Sequence, residues 1–156
     1  SNAHPNAKGS FVGMTSFHTR RHMARGVYEG IAFSHKVDLE RLLESYQRKP
    51  EVIRLTGGVA KSKVWTQMFA DVMNLPVETA DVNETGTLGC AIAAAAATGE
   101  YDSVAAAAAR MSRVAKRVNP IPENVEVYNK KYALYTKTVE ALDCVWDAYQ
   151  AFRDKD

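Results

Sequence analysis

Apolar positions along the chain recur with helical spacing in long stretches that are interrupted by two short β-branched runs. After an irregular, Gly/Pro/Asn-rich lead-in at residues 4–16, with a short extended piece at Ser10–Met14, Thr19 is placed to cap a long helix. Met23, Val27, Ile31, Leu39, Leu42 and Tyr46 follow at three- and four-residue steps or their multiples, and Lys49-Pro50 predicts the end. Val52-Ile53-Arg54-Leu55 is too brief for a helix and is bounded by glycines, so it reads as a strand. Trp65, Met68, Phe69, Val72 and Met73 mark one face of the next helix, and Pro76–Thr79 predicts a second strand. A third helix runs from an Asn83 cap to about Thr98, closed by Gly99. Residues 102–117 read as another, Ala-rich helix that ends before the rigid Asn119-Pro120-Ile121-Pro122.

The last segment is the most regular. Tyr128, Tyr132, Tyr135, Val139, Leu142, Trp146 and Tyr149 alternate four- and three-residue steps, a heptad seam. Aromatic residues make poor coiled-coil knobs, so packing on the domain's own surface suits the seam better. A homodimer seam is the alternative. The resulting order, α-β-α-β-α-α-α, predicts an α/β fold, helix-rich, with a small parallel sheet. Two strands are few for a sheet, which points to part of a larger fold.

Composition narrows the function classes. The chain has 156 residues, 46% hydrophobic, enough for one domain with a core. A net charge of +2 gives no electrostatic case for a nucleic-acid or membrane partner. No apolar run approaches the ~20 residues of a membrane span, and no signal peptide is recognisable. Cys90 and Cys144 form no CxxC pair and suit a reducing, cytoplasmic setting. Ser1-Asn2-Ala3 reads as a tag remnant, leaving 4–156 as the domain.

The chemistry-bearing candidate is the stretch RLTGGVAKSKVW. It fails as a Walker A loop, because Ala60 precedes Lys61 and Leu55 stands where the first glycine belongs. A Rossmann fingerprint fails for want of further glycines at the required steps. What survives is a strand, the pair Gly57-Gly58 with no Cβ atoms, and a helix start with a Ser62 cap. A ligand's flat or anionic part could rest there on bare backbone, near the positive end of a helix dipole. A plain tight turn fits the spacing equally well. His18 and His22 stand four apart but lack a third ligand, so solvated helix histidines are preferred over a metal site. Asp71, Asp81 and Glu84 are each eligible as a base, yet nothing in the sequence positions them. Glycines at 86 and 89 within a helix point either to helix packing or to a hinge or domain-contact helix.

Read together, these segments resemble the C-terminal part of an FGGY-family carbohydrate kinase. The run from Gly9-x-Phe11-x-Gly13-Met14 to His22-Met23 and Gly26-Val27-Tyr28-Glu29 resembles the family's second signature, with Gly26 where the family prefers Ala or Ser. GGVAKSKVWTQMFAD is similar to the GGGAKSxxWxQxxAD stretch of the pentulose-kinase branch (xylulokinase and L-xylulose kinase-like members). ETGTLGCAIAAA resembles its ExxALGAAxxA helix, with Thr87 and Cys90 replacing alanines. PIPENVEVYNKKYALY resembles the closing proline–tyrosine segment. The resemblance implies the C-terminal lobe of an actin/hexokinase-like (ribonuclease H-like) ATPase fold and phosphoryl transfer from ATP, with Mg2+, to a sugar hydroxyl. It also implies that Gly57 and Gly58 lie against adenosine and the α-phosphate, with Ser62 at the adenine edge. The helix from Asn83 would then connect the lobes. The family's phosphate hairpin and catalytic aspartate have no counterpart here, so the chain alone is expected to be inactive. The alternative is a non-enzymatic α/β module that associates through its aromatic C-terminal helix.

Overall fold

The computed structural model describes residues 4–46, 48–82 and 84–153. The expected tag remnant at 1–3 and the Asn83 cap lie outside the described residues. Ten elements follow in order: α1 (Arg20–Ser45), β1 (Ile53–Leu55), α2 (Gly58–Lys61), α3 (Lys63–Met73), β2 (Val77–Ala80), α4 (Thr85–Ala97), α5 (Val104–Met111), β3 (Val114–Val118), α6 (Pro122–Asp143) and α7 (Trp146–Arg153).

The sheet departs from expectation. It has three strands in the order β1-β2-β3, and it is mixed rather than parallel. β1 and β2 pair in parallel, Ile53 opposite Val77 and Leu55 opposite Thr79. β3 then runs antiparallel along β2, Val118 opposite Val77. The helix expected over 102–117 therefore stops at Met111. Ser103 caps it, its hydroxyl accepting the Ala106 N–H at 3.1 Å. Helix propensity dominates the alanines, but from Val114 onward pairing with β2 satisfies the backbone better than another helical turn does.

The two faces of the sheet differ. Ile53, Leu55, Val77 and Val118 pack with α3, whose Met68, Phe69 and Val72 are buried as the helical face predicted. On the other face Arg54, Glu78 and Arg117 stand side by side across the three strands. Glu78 accepts from Arg54 Nε at 3.4 Å and Arg117 Nη1 at 3.2 Å. Both arginines are exposed, so this ladder adds little stability.

α1 buries a different stripe from the one that marks it as a helix. Ala32 and Phe33 enter the core with Glu29, whereas Met23, Val27, Ile31, Leu42 and Tyr46 remain exposed. The helix is apolar on two sides, and α3 and α6 cover only one. It also ends at Ser45, ahead of the predicted stop, because the residues just beyond Leu43 gain no buried contact. At its start Thr19 N–H donates to His22 Nδ1 at 3.1 Å, and Thr15 N–H likewise donates to His18 Nδ1 at 3.0 Å. Both histidines thus serve local turns.

The tyrosine seam splits in two. Tyr128, Tyr132 and Tyr135 pack around Phe33 of α1, with ring centroids 6.2, 5.8 and 5.3 Å away. The first half of the seam therefore covers the chain's own core. The helix then breaks between Asp143 and Trp146, and Tyr149 is exposed.

Glu29 ties α1 to α6. It accepts from Arg25 Nε at 2.9 Å and from Lys131 Nζ on both oxygens at 2.9 Å. Burial pushes its carboxyl upward, but the hydrogen bonds and charges of Arg25 and Lys131 outweigh this and hold it below the ordinary carboxylate range. A depressed folded value means that the stabilisation is complete above the unfolded carboxylate value, about pH 4.3, and fades as pH falls through the folded value. Urea midpoints at roughly pH 6 and roughly pH 3 should therefore fall further for the parent chain than for Glu29→Gln. Equal falls would remove this cluster from the acid response.

α4 closes on Gly99 (φ 77°) in a Schellman arrangement. Gly99 N–H donates to the Ala96 carbonyl at 3.2 Å and Glu100 N–H to that of Ala95 at 3.0 Å. α4 packs mainly on α5, and only Ile92 of its residues is buried.

Candidate functional site

Parallel pairing places the C-terminal ends of β1 and β2 side by side, and an open groove of about 240 Å3 lies beyond them. Leu55, Thr56 and Gly57 leave β1 along one wall, and Ala60 and Lys61 of α2 continue it. Thr79, Ala80, Asp81 and Val82 form the other wall, with Thr85 at the start of α4. Ligands of open α/β sheets gather at this end of the strands, where loops diverge and backbone groups are free.

The two glycines play different parts. Gly57 has φ 74° and ψ −155°, a region open essentially to glycine alone, so the turn itself requires it. Gly58 has no such backbone demand, and a Cβ built on it meets no atom within 4 Å. The chain's own packing gives no reason for a glycine there; what it leaves is open space beside the groove. Ser62 caps α3, its Oγ accepting the Trp65 N–H at 3.3 Å. Its hydroxyl proton remains free to donate. Of the three sequence-predicted residues, Gly57 lines the groove, whereas Gly58 and Ser62 flank the residues that do.

α3 starts at its Ser62 cap as expected, and between the glycines and that cap the chain makes the separate one-turn α2. A single turn sums few peptide dipoles, so no useful macrodipole points into the groove from Gly58. Bare backbone, not helix charge, is what the turn presents.

The three acidic candidates also separate. Asp71 is 2% exposed and fully engaged. Its Oδ1 accepts from Gln67 Nε2 at 2.9 Å and from Ile121 N–H at 2.8 Å, and its Oδ2 from Asn124 Nδ2 at 2.8 Å. It anchors the start of α6 to α3 and is no base. Glu84 precedes α4 as an exposed cap residue whose side chain makes no cap bond. Asp81 lines the groove. Sequence reasoning had no means to place Thr56, Thr79, Asp81 and Thr85 together, because strand pairing between distant segments assembles them. The available signal was an acidic residue directly after the second strand of a β-α-β pair.

The chain matches the sequence profile of the FGGY family of carbohydrate kinases, C-terminal domain, over residues 1–98. It belongs to that family. This FGGY domain is 38% identical over 142 residues to the L-xylulose/3-keto-L-gulonate kinase of Escherichia coli, covering 91% of this chain and 28% of that protein. Its structure is similar to that of a xylulose kinase from Lactobacillus acidophilus, with a TM-score of 0.83 and 32% identity over 92% of this chain and 29% of that one. A glycerol kinase from Plasmodium falciparum, solved with ADP, shares the fold with a TM-score of 0.71 and 27% identity, covering 85% of this chain and 26% of that one. The FGGY domain thus spans under a third of the length of these relatives. The likeness extends through α6, beyond the residues matched by the family profile. Among the described residues no helix is long and apolar enough to cross a membrane.

Proposed function

We propose that this chain supplies the adenosine-binding part of an ATP-dependent sugar kinase, which transfers the γ-phosphoryl group of ATP to a hydroxyl of a pentulose or related sugar. The observation that carries this reading is the groove at the carboxyl ends of β1 and β2, lined by Gly57 and flanked by Gly58, whose own packing gives no reason to lack a side chain. In this reading the Gly57-Gly58 backbone meets adenosine and the α-phosphate, and the Ser62 hydroxyl donates at the adenine edge. Membership of the kinase family and the likeness to a kinase solved with ADP support it.

Mg2+ has no fitting donor set here. Among the described residues Asp81 is the single carboxylate lining the groove, and no three acidic, histidine or cysteine side chains converge. The metal and the base that accepts the sugar proton are assigned to other parts of the kinase polypeptide. α4 suits a connecting role between lobes. It carries no charged residue and is largely exposed, and a Cβ added at Gly86 or Gly89 would meet nothing within 4 Å.

Positioning and charge stabilisation supply nearly all of phosphoryl-transfer catalysis, so a lobe without those groups should not turn over. The purified chain is expected to show no ATP-dependent phosphorylation of pentuloses, pentoses or polyols, whereas a complete kinase polypeptide containing it phosphorylates a pentulose. Turnover by the chain alone, free of contaminating kinase, would refute the division of labour. A complete polypeptide that binds ATP but phosphorylates no sugar would refute the kinase assignment.

A further inference from the structure

We infer that Asp81 reads the ribose of the nucleotide, making this chain selective for ribonucleotides over 2′-deoxyribonucleotides; the inference rests on the nucleotide reading of the groove. Asp81 follows β2 immediately and lines the wall opposite Gly57. Its position is built rather than incidental. The register between β2 and β3 shifts at Thr79/Ala80, and directly after this irregularity the Asp81 N–H donates to the Arg113 carbonyl at 3.0 Å. Irregularities of this kind re-aim side chains at strand ends, and the hydrogen bond holds the new course of the main chain.

Among the described residues the carboxylate is also uncommitted. Glu78 is engaged by two arginines and Asp71 by three donors, while Glu84, without a cap bond, does not line the groove. The structure gives Asp81 no side-chain hydrogen bond or ion pair among the described residues, and Lys61 across the groove does not pair with it. An ionised carboxylate only accepts hydrogen bonds. Of the parts of a nucleotide, the phosphates repel it, whereas the vicinal ribose hydroxyls offer two donors matched to its two oxygens. With adenine placed toward Ser62 and the ribose over Gly57, the diol falls on the Asp81 side. Parallel β-α-β nucleotide folds use an acidic residue after the second strand in the same way.

The test is an NMR titration of the 156-residue chain with ATP and with 2′-deoxy-ATP, repeated on Asp81→Asn and Asp81→Ala. Asp81 is exposed, so both variants should keep the fold. Losing one hydrogen bond to a charged group corresponds to about tenfold in affinity, so the parent chain should prefer ATP about tenfold. Both variants should compress that preference to about threefold or less, chiefly through weaker ATP binding, while 2′-deoxy-ATP binds as before. Equal affinity of the parent chain for the two nucleotides, or a preference that survives Asp81→Ala, overturns the assignment and leaves the nucleotide site standing. No binding of either nucleotide would remove the site and the assignment together.

Discussion

Replacing Asp71 with alanine is expected to lower the unfolding free energy by about 3 kcal/mol and the melting temperature by roughly 10 °C. Three donors, from Gln67, Ile121 and Asn124, converge on a carboxylate that is 2% exposed. Truncation leaves them facing a small void, and a buried unpaired donor costs about 1–3 kcal/mol. Some recover water through the half-exposed edge near Gln67, which is why the costs do not simply add. Asp71→Asn should lose only about 1 kcal/mol, because Oδ1 survives as acceptor and the Asn124 amide can turn to present its own oxygen. Chemical denaturation of the three proteins measures this ordering. A loss below about 0.5 kcal/mol for the alanine variant would show that α6 does not depend on this anchor.

Much of the architecture was legible because local signals agreed with one another. The β-branched run ending in two glycines is β1, the face of α3 is the buried one, and Gly99 ends α4 as its left-handed residue should. The failures came where non-local pairing decided. Val114–Val118 follows an alanine tract that favours helix, and only the partner strand β2 makes it a strand. In α1 the periodic apolar stripe was real, but Phe33, on another side, carries the packing against the tyrosines of α6. The candidate site was half visible for the same reason. Gly57-Gly58 announces itself after a strand, whereas Thr79 and Asp81 join it only through the β1–β2 register.

Gly58→Val is expected to weaken ATP binding at least about tenfold with the fold intact. A Cβ at this position meets no protein atom within 4 Å, and its backbone angles do not demand glycine, so the chain itself should tolerate the side chain. What valine fills is space assigned to the nucleoside. In a complete kinase the same change should raise the KM for ATP far more than that for the sugar, with kcat little altered, because it removes binding common to ground and transition states. Gly57→Ala should behave oppositely, costing stability of about 1–2 kcal/mol through its positive φ. Ser62→Ala should weaken ATP in the same direction by less, and it also forfeits the α3 cap, a stability loss of about 1 kcal/mol to be measured separately. A folded Gly58→Val protein that binds ATP as the parent does would return this stretch to an ordinary turn.

The claim on which the rest depends is that the groove beyond β1 and β2 receives the nucleotide. Backbone amide shifts of the isotope-labelled chain, followed during titration with ATP, test it directly. The account predicts saturable shifts concentrated at Thr56–Lys61 and at Ala80–Thr85, with the α6–α7 region unmoved. Shifts that centre on α6 or α7, or none at any ATP concentration, would contradict it.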